Sequence, residues 1–143
     1  MSKFKLPTPV SDDAVWTEVW KDGECYGSFK IKYQDINAPK WNLEWKRMVD
    51  KLSQSERHRA DNPKTEADYL IRRGLSIGML ASHYIVDSKM VAADGTSLPH
   101  NYGDLLELLT TPELYFIAQE LDAFSVNADN FKSEKAAKEA KKN

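Results

Sequence analysis

Apolar and polar side chains alternate between residues 14 and 34, a pattern typical of strands with one buried face. Asp22 and Gly23 stand in the middle of this region, and this pair is a strong signal for the turn of a β-hairpin. Two prolines nearer the N-terminus disfavour regular structure, so residues 1–13 are expected to form an arm. The pattern predicts a hairpin over 14–34, and one face of its second strand carries Cys25, Phe29, Ile31 and Tyr33.

Beyond Pro39, the spacing of apolar residues changes to the period of an amphipathic helix. Residues 53–62 are polar throughout and are predicted to be a linker. Asn62 and Pro63 then provide an N-cap and a first-turn proline, so a long helix is expected to follow as far as Ile85. The apolar positions are Trp41, Trp45, Met48, Val49 and Leu52 in the first helix and Ala67, Leu70, Ile71, Ala81, Tyr84 and Ile85 in the second.

Signals for a loop and two further helices follow. An Asp-Gly pair and a proline predict a loop over about 88–101. The Leu-rich run from Asp104 predicts a short helix after it. Thr111, Pro112 and Glu113 supply the cap, the proline and the first-turn acid of another helix, and apolar residues continue in phase behind them.

Together these patterns predict an α+β fold, mainly α, in which an N-terminal β-hairpin or small antiparallel sheet packs on a bundle of four to five helices. A single globular domain is expected over 1–130, with its helical part at 39–126. The last residues, 131–143, contain five Lys and two Glu and almost no apolar surface, so they are predicted to be a charged tail. The predicted core includes Trp41, Trp45, Leu70, Ile71, Ile117 and Leu121.

The composition is typical of soluble globular proteins, since 41% of the 143 residues are hydrophobic and 29% are charged. The single Cys25 excludes an intramolecular disulfide and favours a reducing compartment. No apolar run approaches the roughly 20 residues that span a bilayer, and the N-terminus lacks the features of a signal peptide. We therefore expect a cytosolic protein without a membrane partner.

Few residues suggest catalysis or metal binding. The sequence has no Gly-rich phosphate loop, no Ser nucleophile elbow and no His-Glu-x-x-His motif. Cys25 alternates with core positions and is interpreted as a small buried hydrophobe. His83 and Asp87 stand four residues apart, which would place them on one helix face, but two ligands do not make a metal site. We expect no enzymatic activity, no metal and no cofactor.

Charge is unevenly distributed, although the net charge is only −2. Residues 40–86 contain nine basic and six acidic side chains, whereas residues 87–130 contain one basic and eight acidic side chains. Phosphate contacts need concentrated positive charge, and acids interrupt the basic cluster, so we expect no binding of nucleic acid. The cluster comprises Arg57, Arg59, Lys64, Arg72 and Arg73.

The segment from Gly78 to the C-terminus resembles the C-terminal half of tail assembly chaperones of long-tailed bacteriophages. The similar succession is an apolar helix that ends in Ile85-Val86-Asp87, a loop with an Asp-Gly pair and a proline, a Leu-Leu helix, a helix that begins at a proline, and a charged tail that ends in Lys-Asn. The N-terminal hairpin with its Asp-Gly turn also suits this family.

The resemblance implies a non-enzymatic viral factor of the host cytoplasm that is absent from the mature virion. It would bind the tape measure protein, keep it soluble and help to recruit tail tube protein, and self-association is compatible with that role. Another viral structural or adaptor protein, a small enzyme and a nucleic-acid-binding regulator are the alternatives. The side chains expected to bind a partner are Leu105, Leu109, Phe116, Phe124 and Phe131.

Overall fold

The alternating pattern near the N-terminus forms the predicted hairpin in the computed structural model, which describes residues 2–132. Strand β1 is Val15–Lys21, and strand β2 is Glu24–Ile31. Asp22 and Gly23 join the strands with φ angles of 52° and 80°. Positive φ at both central residues matches the twist of a two-residue hairpin turn, which explains why this pair is a reliable signal.

Two further strands extend the hairpin into a four-stranded antiparallel sheet with the order β1-β2-β3-β4. Strand β3 is Ile85–Val91, and strand β4 is Ser97–Pro99. The prediction of a helix as far as Ile85 and a loop over 88–101 is therefore wrong, and the region 39–126 is not wholly helical. The Asp-Gly pair in this region lies in the connection between β3 and β4.

A β-bulge explains why the sequence pattern did not reveal β3. The pairing of β2 with β3 shifts register between Lys30 and Ile31. As a result Ile85 and Ser88, three residues apart, are both buried, and the alternation characteristic of a strand is broken. The spacing resembles that of a helix although the backbone is extended.

The described residues contain five α-helices, so the fold is α+β and mainly α, as predicted. Helix α3 continues into a turn of π-helix at Leu80–Tyr84, and short 3-10 turns occur at Pro112–Leu114 and Ala128–Phe131. The predicted tail lies outside the described residues except for Phe131 and Lys132. The α-helices are α1 Pro39–Asp50, α2 Gln54–Asp61, α3 Glu66–Met79, α4 Tyr102–Thr110 and α5 Tyr115–Val126.

Helix α2 occupies the region predicted to be a linker, so that prediction is wrong. Ser53 Oγ accepts a hydrogen bond from Glu56 N at 3.1 Å, and the Glu56 carboxylate accepts one from Ser53 N at 3.0 Å. This capping box satisfies backbone donors that the first turn would otherwise leave exposed. Ala60 is the one buried residue of α2, so the helix has no apolar stripe from which to predict it.

Two other helices begin differently from the prediction. Helix α3 is capped by Thr65, whose hydroxyl accepts from Asp68 N at 3.2 Å, so the helix starts beyond Pro63. The Thr111 hydroxyl donates to the carbonyl of Glu107 at 2.7 Å. Thr111 therefore completes the end of α4 instead of capping α5, which begins after a 3-10 turn.

The core lies between the inner face of the sheet and helices α3, α4 and α5. Ile117 and Leu121 are fully buried, as predicted. Trp41 and Trp45 are half-buried and stack with ring centroids 5.4 Å apart. The largest side chains of the core are Phe29, Ile31, Met79, Leu80, Met90, Leu105, Leu109, Ile117, Leu121 and Phe131.

Leu70 does not belong to the core, which corrects the sequence prediction. Its side chain is 57% exposed, and the neighbouring Ile71 is half-buried. Helix α2 packs against the side of α3 that carries Asp68 and Leu75. Leu70 projects from the opposite side of α3, because it lies about half a helical turn from these two residues.

An ion pair between the partly exposed Arg59 and the buried Asp68 holds α2 against α3. The Asp68 carboxylate accepts hydrogen bonds from Lys64 N at 2.9 Å, from Thr65 N at 3.2 Å and from Arg59 Nε at 2.6 Å. The Lys64 N–H makes the largest contribution, followed by the Arg59 guanidinium, and together they lower the pKa of Asp68 to about 2.

Replacement of Leu121 tests the position of the core. Leu121→Ala is expected to lower the free energy of unfolding by about 2–5 kcal/mol, because it leaves a cavity at a fully buried site. Leu70→Ala is the matched control, with an expected loss of under about 1 kcal/mol at an exposed site. Chemical denaturation measures both values, and similar losses in the two variants would contradict this core.

The ion pair predicts a specific dependence of stability on pH. Because folding lowers the pKa of Asp68 from 3.8 to about 2, its contribution is present above about pH 4 and is lost as the pH falls through 2. Asp68→Asn should therefore be less stable than the wild type at pH 7, and the difference should shrink between pH 4 and pH 2. Glu66→Gln, an exposed acid in the same helical turn, should show no such convergence in acid denaturation.

Candidate functional site

Three of the five side chains predicted to bind a partner are part of the core. Leu105, Leu109 and Phe131 are at most 2% exposed, so a partner of the folded protein does not reach them. This part of the prediction is corrected, because the periodic apolar face of α4 packs inward and Phe131 closes the end of the core. Phe124 is half-buried with its ring edge-on to Phe131, at 5.6 Å between centroids.

Phe116, the fifth predicted residue, is half-buried beside the hairpin. Its ring meets Tyr26 edge-on at 5.0 Å, and Lys21 Nζ lies 4.4 Å from its centroid. These contacts attach α5 to the β1–β2 turn. Phe116 therefore has a structural role that accounts for its apolar character.

A groove between α3 and α5 is the best-shaped apolar surface for a partner. The groove has a volume of about 310 Å³, and its floor is formed by the buried Ile77, Leu80 and Ala118. Small and polar residues form its rims, so the backbone of another helix could approach closely. The rim residues are Ser76, Tyr115, Gln119, Asp122 and Ala123.

One end of this α3–α5 groove is closed by a cation–π contact. The Arg73 guanidinium carbon lies 3.6 Å from the centroid of the Tyr115 ring. Tyr69 stands one helical turn before Arg73 and is 58% exposed, so it extends the apolar surface along the same side of α3. The periodicity of large apolar residues in the sequence identifies the core. It does not identify this groove, because several of the residues that line the groove are small or polar.

A second, larger cleft lies between the arm, the segment after β2, helix α1 and the π-helical turn. Its volume is about 800 Å³. At its wall the mostly buried Glu44 carboxylate accepts a hydrogen bond from Tyr84 Oη at 3.4 Å and lies 3.9 Å from His83 Nδ1. Burial, and next the negative charge of Glu44, raise the pKa of Tyr84 to about 12.

The sequence contains a signal for this second cleft, which we call the Glu44 cleft. Glu44 lies between Trp41 and Trp45 in the apolar stripe of α1, where a carboxylate is out of place. A charged group on the buried side of an amphipathic helix is an unusual feature that often marks a site.

The outer face of the sheet carries exposed aromatic residues with balanced charges. Trp16 lies beneath Lys89 Nζ, 5.5 Å from the ring centroid, and Trp20 Nε1 donates to Glu18 at 2.8 Å. Lys30 stands opposite Asp87 in the register of β2 with β3. This face therefore carries acidic as well as basic side chains.

Two arginines of the basic cluster recognised in the sequence lie close to carboxylates. Arg59 pairs with Asp68 at 2.6 Å, and Arg57 lies 3.9 Å from the Asp50 carboxylate. Arg73 lies over an aromatic ring, as described above.

Two pairs of polar residues have side chains of the types used in catalysis or metal binding. His83 lies in the π-helical turn and Asp87 on the outer face of β3, so the interpretation that they share a helix face is wrong. Ser88 Oγ lies 2.6 Å from His100 Nδ1, a contact that the sequence did not suggest. Ser88 is buried and His100 is exposed, and Ser88 lines neither the α3–α5 groove nor the second cleft.

Cys25 is half-buried on β2, where its thiol points to the carbonyl of Gly27 at 3.8 Å. Residues 2–132 contain no group of three or more His, Cys, Asp or Glu side chains placed to hold a metal ion. Within the same range, no helix is both long and apolar enough to cross a bilayer. Comparisons with protein-family models, curated proteins and solved structures found no match.

Proposed function

We propose that the protein is a tail assembly chaperone of a long-tailed bacteriophage. In this role it binds the tape measure protein in the host cytoplasm, keeps it soluble and helps to recruit tail tube protein, without entering the mature virion. The resemblance of the segment from Gly78 onward supports the assignment to this class. The α3–α5 groove is the structural observation that carries the proposal, because it offers a site for a helical client.

The shape of the groove suits an apolar helix. Tyr115 and Ala123 are eight residues apart on α5, so the groove runs for roughly 12 Å, about two turns of a bound helix. Its buried floor supplies apolar contact, and its small rim residues allow close packing of two helices. A long helical client exposes many such two-turn segments, so a short groove is sufficient for repeated weak contacts.

The surroundings of the groove suit a chaperone that stays soluble. Arg73 at one end and Asp122 on the α5 rim place opposite charges beside the apolar floor. An apolar surface bounded by charge binds a client helix but resists aggregation with copies of itself. Binding of this kind depends on apolar contact and charge and needs no catalytic group.

Filling the groove tests this proposal. Ala123 is exposed on the groove rim, and Ala123→Arg would place a long charged side chain across the client site. In co-expression with the tape measure protein of the same phage, wild-type protein should keep that client in the soluble fraction and co-purify with it. Ala123→Arg should reduce the co-purified client by about tenfold, the effect of a loss of 1.4 kcal/mol in binding.

Ala93→Arg is the matched control, because Ala93 is an exposed alanine on the connection between β3 and β4. This variant should hold the client as the wild type does, and both variants should keep the wild-type melting temperature. A wild-type protein that fails to keep the client soluble would refute the chaperone function. Normal co-purification by Ala123→Arg would show that the client binds elsewhere.

A further inference from the structure

The Glu44 cleft contains a mostly buried carboxylate, one oxygen of which accepts no hydrogen bond from residues 2–132. Glu44 is only 9% exposed. Within residues 2–132, its side chain accepts one hydrogen bond, a long one of 3.4 Å from Tyr84 Oη to Glu44 Oε2. Glu44 Oε1 has only His83 Nδ1 nearby, at 3.9 Å, beyond hydrogen-bond distance. Every fully buried side-chain oxygen of residues 2–132 has a hydrogen-bond partner, so Glu44 Oε1 is accessible from the cleft and can accept hydrogen bonds from a ligand.

The other walls of the cleft are aromatic and charged. The rings of Tyr33, Trp41 and Tyr84 line it, and the stacked Trp45 supports Trp41 from behind at an interplanar angle of 10°. Two more carboxylates, Asp12 and Asp35, and two ammonium groups, Lys32 and Lys40, also line the cleft. Three carboxylates against two ammonium groups give these five side chains one net negative charge.

We propose that the Glu44 cleft binds a single guanidinium group, the side chain of an arginine in a partner peptide. A guanidinium presents paired N–H donors that match the two oxygens of a carboxylate, and its planar face stacks on aromatic rings. Both features are present here in Glu44 and Trp41. This proposal is independent of the α3–α5 groove and of the chaperone function.

The lysines in the cleft set its specificity. One guanidinium neutralises the excess negative charge, whereas a second adjacent cation would meet Lys32 and Lys40 without a matching carboxylate. The cleft therefore selects an isolated arginine over a run of basic residues or a polyamine. A volume of about 800 Å³ leaves room for the peptide backbone on either side of the arginine.

The test compares two ligands that differ in charge but hardly in shape. Acetyl-arginine amide should bind the full-length protein saturably, followed by the fluorescence of Trp41 and its neighbours and by NMR shifts of residues around the cleft. Acetyl-citrulline amide, its uncharged analogue, should bind at least about tenfold more weakly. Equal binding of the two ligands, or tighter binding of spermidine, would refute the proposal.

Variants of the protein locate the binding. Glu44→Gln should weaken arginine amide by at least about tenfold, while Asp13→Asn, an acid of the arm outside the cleft lining, should bind as the wild type does. If Glu44→Gln does not keep the wild-type circular dichroism spectrum, Asp35→Asn at the exposed edge of the cleft replaces it, with an expected loss of about threefold. Unchanged affinity in a folded cleft variant would refute the proposal.

Discussion

The Gln34 side chain, in the segment that follows β2, forms hydrogen bonds with α1 and α5. Its Nε2 donates to Asp122 Oδ1 at 3.0 Å and to Ser125 Oγ at 2.9 Å, and its Oε1 accepts from Trp41 Nε1 at 2.8 Å. The backbone N–H of Gln34 also donates to the carbonyl of Ser125 at 2.7 Å. Because Gln34 is buried and its amide is bonded on both sides, any shift of α1 or α5 would leave a polar group without a partner, at a cost of about 1–3 kcal/mol each.

This network explains the positions of both candidate sites. Trp41 is held by Gln34, so α1 lies beside the π-helical turn and brings Glu44 to Tyr84 across the Glu44 cleft. Asp122 is held by the same amide, so the outer side of α5 is fixed beside α3 as one rim of the groove. The two sites share one structural anchor, although their lining residues are different.

The π-helical turn adds a second constraint near the Glu44 cleft. The chain leaves α3 at Met79, passes through Leu80–Tyr84 and enters β3 at Ile85 without an intervening loop. The carbonyl of Tyr84 accepts a hydrogen bond from Lys32 N at 2.9 Å, which ties this transition to the end of β2. Such turns are frequent at functional sites, because they reorient side chains without breaking the element. Here the turn places His83 and Tyr84 in the wall of the cleft.

The sequence was sufficient to predict elements that depend on local signals. The turn needs positive φ angles at two residues, and Asp22 and Gly23 are residue types that adopt them readily. The strands around the turn bury one face, and their alternating apolar residues show this directly. Strand β3 was missed because it contains a bulge at Val86 that depends on pairing with β2, which lies more than 50 residues earlier in the chain. Helix α2 was missed because its stability comes from caps and an ion pair to α3 rather than from an apolar stripe.

The same physical reasoning explains why the predicted partner residues and the observed groove differ. A large apolar side chain at a periodic position stabilises the fold most when it is completely buried, and Leu105 and Leu109 are examples. Periodicity of large apolar residues therefore identifies the core. A surface that binds another helix must remain soluble before the partner arrives, and the proposed groove meets this requirement with small or polar rim residues such as Ser76 and Ala123 over a buried floor. Such a surface has no periodic signature, because its apolar atoms belong to residues that the core already uses. The groove becomes visible only when α3 and α5 are assembled, whereas Glu44 within the apolar stripe of α1 marks one wall of its cleft and the fold supplies the other walls.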